Sequence, residues 1–111
     1  MSVERSDEID LIGIDKDGDI VNMAIVDDLD WRDSKRHLHL IQDKINKYLA
    51  SIESGEIYSI YPDSRNREFS IEIIFKHAPC DDALDFLKRV RDILADAGYD
   101  FKYKLLEQGG A

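Results

Sequence analysis

Carboxylates and imidazoles are the side chains here with the most chemistry to offer. Asp27, Asp28, Asp30 and Asp33 crowd one short stretch, and His37 and His39 follow it. Carboxylates with imidazoles can hold a transition metal. The spacing argues against it, because side chains two apart on a helix point to different sides. His39 belongs with Asp43 on a polar face, and His37 borders an apolar stripe four residues before Ile41. We read the group as helix capping plus two surface histidines. Asp15-Lys16-Asp17-Gly18-Asp19 resembles the opening of a calcium loop. Such a loop needs glycine at its sixth position and a bidentate glutamate at its twelfth. Counted from Asp15, those positions hold Ile20 and Val26, so a hairpin turn is the better reading.

Cys80 opens a second helix, where the dipole lowers a thiol pKa. Asp81 and Asp82 oppose that effect, so the cysteine reads as structural. Glu53 and Glu56 bracket Ser54-Gly55, with Tyr58 and Tyr61 beyond. Paired carboxylates do acid–base work only where burial raises one of them. Nothing in the pattern marks such a pocket. The chain also lacks a phosphate-binding glycine loop, a Gly-x-Ser-x-Gly elbow and a His-Glu-x-x-His helix. The expectation is no catalytic residue, no metal and no cofactor.

Periodicity defines the elements that must position these groups. Segments 9–15 and 20–26 are β-rich and separated by Asp-Gly, a strong hairpin signal. Leu38, Ile41, Ile45, Tyr48, Leu49 and Ile52 step by three and four, which predicts a helix over 31–53. Asp30 or Asp33 can cap its start, and Gly55 can end it. Segment 56–61 reads as a strand closed by Pro62. Phe69, Ile71, Ile73 and Phe75 alternate along a strand over 69–77, so the last two segments form a second hairpin. A second helix is expected over 81–97, ended by Gly98, and a final strand over 99–105. The order ββαββαβ predicts an α+β two-layer sandwich, a mainly antiparallel sheet with two helices on one face. Without its first strand that order is ferredoxin-like. A chain of 111 residues is the size of one domain, here with an ordered core over about 9–106.

Net charge is -9, from 24 Asp and Glu against 15 Lys and Arg. Residues 1–30 alone hold ten acids and two bases, a net of -8. Such a field repels nucleic-acid phosphates and anionic membranes and attracts basic proteins. No stretch approaches the ~18 apolar residues of a membrane span. A polar, acidic start does not read as a signal peptide, and a single cysteine fits a reducing cytoplasm.

Several segments together resemble a small uncharacterised bacterial domain family of about one hundred residues. They are Ile9-Asp10 with Ile12-Gly13-Ile14-Asp15-Lys16, Asp28-Leu29-Asp30-Trp31 and Lys44-Ile45-Asn46-Lys47-Tyr48-Leu49. Ile52-Glu53-Ser54-Gly55-Glu56-Ile57-Tyr58 and Tyr61-Pro62 complete the set. The resemblance runs over residues 9–105 and implies no activity, cofactor or site residue.

Two functional readings follow. The first is a small soluble non-enzymatic protein-interaction module. A basic partner would dock on Asp27, Asp28, Asp30 and Trp31, the indole serving as apolar anchor. An uncovered sheet face bearing apolar residues would also leave a homodimer open. The alternative is a small ligand-binding or enzymatic domain with its site near Asp28, Asp30, Trp31 and Tyr58.

Overall fold

The structure, a computed structural model, describes residues 3–5, 8–15 and 19–106. Strands β1 (Leu11–Asp15) and β2 (Ile20–Asp27) pair antiparallel, as a hairpin requires. Three residues of their turn, Lys16, Asp17 and Gly18, lie outside the described residues. Helix α1 (Ser34–Glu53) follows, then α2 (Glu56–Ile60) and a single 3-10 turn at Pro62–Ser64. Strand β3 (Glu68–Phe75), helix α3 (Asp81–Asp96) and strand β4 (Asp100–Leu105) complete the elements among the described residues. No helix among the described residues is long and apolar enough to cross a membrane.

The fold is α+β, but the sheet is mixed and not mainly antiparallel. Its order is β1-β2-β3-β4, and both β2–β3 and β3–β4 run parallel. The expected second hairpin is absent because 56–61 is not a strand. Ile57, Ile60 and Tyr61 are spaced three and four apart, which suits one helical turn as well as a short strand. Gly55, at φ 83°, reverses the chain after α1, and only Ile57 of α2 is buried. Without a strand there, α1 carries the chain from β2 to β3, and α3 carries it from β3 to β4. A helical crossover returns the chain to the end where the previous strand began, so the next strand runs parallel. The ferredoxin-like order is thereby lost. Right-handed crossovers that step the same way place their helices on the same face.

Burial places both crossover helices against the same sheet face. Val21, Met23 and Ile25 alternate along β2 opposite Phe69, Ile71 and Ile73 of β3. All are buried in one cluster with Ile41, Ile45 and Ile52 of α1, Ile57 of α2, and Leu87 and Leu94 of α3. The other sheet face is polar at its centre. Ser70 Oγ donates to Asn22 Oδ1 (2.9 Å), and Asn22 Nδ2 donates to Glu72 Oε1 (3.1 Å).

The segment before β1 is pinned to α1 by a buried polar cluster. The Tyr48 hydroxyl accepts from the Asp10 amide (2.9 Å) and donates to the Ala24 carbonyl (2.7 Å). It therefore bridges two backbone groups where β1 parts from β2. The Asp10 carboxylate accepts from the Val26 amide (2.9 Å) and from Lys44 Nζ (2.9 Å). Lys44 also donates to the Arg5 carbonyl at 2.5 Å and is fully buried. Burial pushes the Tyr48 hydroxyl well above its ordinary pKa.

Candidate functional site

The loop from Asp27 to Asp33 joins the end of β2 to the start of α1. Asp27 continues the inward file of Val21, Met23 and Ile25, so the pleat carries a carboxylate into the core. It is 0% exposed. His37 lies four residues before Ile41 on the buried stripe of α1 and is 1% exposed. It is not a surface histidine, because that stripe extends one turn further toward the N-terminus than the aliphatic residues do.

The two side chains meet. His37 Nε2 lies 2.5 Å from Asp27 Oδ2, and His37 Nδ1 lies 3.0 Å from the Asp30 carbonyl. A carbonyl only accepts, so Nδ1 carries a hydrogen. The contact at Nε2 then needs one further proton, on the imidazole or on the carboxyl. Asp27 Oδ1 accepts from the Leu29 amide at 3.1 Å. Burial pushes the Asp27 carboxyl above its ordinary pKa, and the His37 hydrogen bond and charge offset only part of that rise.

Trp31 closes the cluster. Its ring stacks on His37 with centroids 3.7 Å apart and contacts Phe75 at 5.9 Å. Its Nε1 donates to the His77 carbonyl at 3.3 Å. The Lys76 amide donates to the Asp27 carbonyl at 2.8 Å, which ties the end of β3 to the same loop. Asp33 caps α1 by accepting from the Arg36 amide at 3.2 Å. The loop is thus tied at Asp27, Leu29, Trp31 and Asp33.

Asp28 and Asp30 remain exposed on the rim, and Trp31 is half-buried beside them. Asp30 pairs with Arg32 Nε at 3.1 Å. Asp27 is not available at the surface and instead fixes the loop that presents the other three. A shallow dent of about 250 Å³ lies between Asp28, Asp30, Arg32 and His77. Both ring nitrogens of His37 are engaged, so the pair has no nitrogen to offer a substrate without breaking a buried bond.

Tyr58 is not part of this site. It sits on α2, edge-on to Phe69, with Arg65 over its ring. Phe69 and Phe75 stand six residues apart on β3, about 20 Å along a strand. His39 is exposed and faces Asp43 at 3.6 Å, as its spacing implies. Cys80 is half-buried at the N-cap of α3. Asp19, at φ 57°, closes the β1–β2 turn by donating its amide to the Asp15 carbonyl at 2.8 Å, and its side chain pairs with Arg67. Among the described residues, no three His, Cys, Asp or Glu side chains gather as a metal-ligand set.

Sequence reasoning missed the Asp27–His37 pair. The available signal was positional: each residue extends an apolar file by one step of its own period. A family model described as a family of unknown function (DUF6572) matches residues 1–107. No curated protein and no solved structure matches the chain.

Proposed function

Since the chain belongs to the DUF6572 family, a family of unknown function, we propose that it is a non-enzymatic protein-interaction module. It meets a basic partner surface through Asp28, Asp30 and Trp31. The observation that carries this reading is the set of contacts that hold the loop from within. A buried carboxylate, a buried imidazole and a stacked indole hold it, while its acidic rim faces outward. Loops held in one geometry lose little freedom on binding, and a half-buried aromatic beside charge is the usual composition of a binding hot spot. The lone cysteine fits a reducing, cytoplasmic setting.

The test uses a basic protein captured from cells on the immobilised chain and then purified. Its affinity should fall as salt rises, because exposed charges are screened within about 10 Å at 0.1 M. Asp28→Asn with Asp30→Asn should lower the association rate several-fold, and Trp31→Ala should mainly speed dissociation. Equal binding by both variants and the parent overturns the proposal.

A further inference from the structure

A second surface lies between α1 and α3, away from the rim. Ile45 and Leu49 of α1, with Phe86, Val90, Ile93 and Leu94 of α3, line an apolar groove of about 350 Å³. Ile93 is 65% exposed there, the most exposed of the chain's large hydrophobic residues among those described. A branched aliphatic group on a helix gains nothing from facing water, and its neighbours in the groove are apolar too.

The polar groups around this groove carry a pattern. On the α1 side, Gln42 and Asn46 line it with neutral amides, and on the α3 side Arg89 does so. Residues three or four apart on a helix are surface neighbours. Asp82 therefore adjoins Phe86, Asp85 and Asp92 adjoin Arg89, and Asp96 adjoins Ile93. All four carboxylates are exposed, and none forms an ion pair among the described residues. By the same spacing Lys88 adjoins Asp85 and Asp92, so the outer flank of the groove sets four negative charges against two positive ones, Lys88 and Arg89. An apolar trough between two helices accepts the i, i+3, i+4, i+7 anchors of a third helix. The span from Phe86 to Ile93 is about 10 Å at ~1.5 Å per residue, two turns of such a helix.

We propose that the α1–α3 groove docks a basic amphipathic helix of a partner protein. The apolar side of that helix covers Leu49, Phe86, Val90 and Ile93, and its lysines and arginines face Asp82, Asp85, Asp92 and Asp96. This surface is independent of the Asp28–Trp31 rim.

The test titrates the whole chain against a labelled amphipathic helix built of Leu and Lys, about 18 residues long so that it can hold helical structure. Fluorescence anisotropy at about 0.15 M salt reads the affinity. The Leu/Lys helix should bind at least about tenfold more tightly than a Leu/Glu helix of the same pattern. Ile93→Ser should weaken it by about tenfold, and this variant keeps its fold because the residue is largely exposed. Asp85→Asn with Asp92→Asn should weaken it several-fold. Asp28→Asn with Asp30→Asn should leave it unchanged, so failure here and failure at the rim are distinguishable. Equal affinity for the parent and Ile93→Ser would mean diffuse charge attraction and overturns the proposal. So does sedimentation showing a dimer of the chain that Ile93→Ser converts to monomer, since a second copy would then occupy the groove.

Discussion

Asp27 shows how one buried carboxyl makes stability depend on pH. Burial holds its pKa above the ordinary value, so the folded chain favours the protonated form more than the unfolded chain does. The stability gained that way is complete below the unfolded carboxylate pKa of ~3.9 and drains away as pH rises through the folded value. Asp27→Asn keeps a neutral side chain of the same shape that can still donate to His37. The melting temperature of the parent relative to this variant should therefore be highest near pH 4 and decline toward pH 8. A difference that stays flat across that range would show that the burial of Asp27 does not govern its ionisation. Neither partner was legible as a pair. Sequence marks His37 as bordering an apolar stripe and Asp27 as one of four crowded acids, and only the register of β2 against α1 brings them together. Lys44 has the same history: it sits between Ile41 and Tyr48 on the buried face of α1, yet charge alone would assign it to solvent.

At the scale of elements, long periodic segments were legible and the short one was not. Helices expected over 31–53 and 81–97 are found at Ser34–Glu53 and Asp81–Asp96, and Phe69, Ile71, Ile73 and Phe75 share the buried face of β3. These segments repeat their pattern over several turns or several pleats. Segment 56–61 has too few residues for period two and period 3.6 to differ, and its misreading changed the sheet from mixed to antiparallel. Gly55 holds the decision. At φ 83° it occupies the left-handed region, and a Cβ there would meet the Tyr58 ring, Cδ2 at 3.6 Å and Cε2 at 4.0 Å, both ordinary contacts. Gly55→Ala is therefore limited by backbone strain, not by crowding. It should cost about 1–2 kcal/mol, the usual penalty for an L-residue in that conformation, read from urea unfolding. No change in the unfolding midpoint would mean that the α1–α2 corner relaxes to another geometry.

For the whole molecule, the lopsided charge of the sequence is partly evened out by folding. Acids from the first thirty residues meet bases from later in the chain: Glu4 with Arg36, Asp10 with Lys44, Asp19 with Arg67 and Asp30 with Arg32. Among these, the Asp10–Lys44 pair is fully buried, and salt cannot screen it. The exposed pairs contribute about 0–1 kcal/mol each and weaken in salt. Against them stands the mutual repulsion of a net charge of -9 in a body whose radius of gyration is 13.9 Å. At about 0.01 M salt the Debye length is ~30 Å, so every excess charge repels every other across the molecule. At about 0.15 M it is ~8 Å, shorter than that radius, and the long-range repulsion is gone while contact pairs at 3–4 Å persist in part. Repulsion summed over the whole body should outweigh the few exposed pairs. The melting temperature should therefore rise as salt increases over that range. A fall instead would mean that the exposed pairs joining the N-terminal region to α1 and to Arg67, just before β3, hold more of the fold than their exposure suggests. Arg36→Gln, which breaks the Glu4–Arg36 pair, would then reduce the salt dependence.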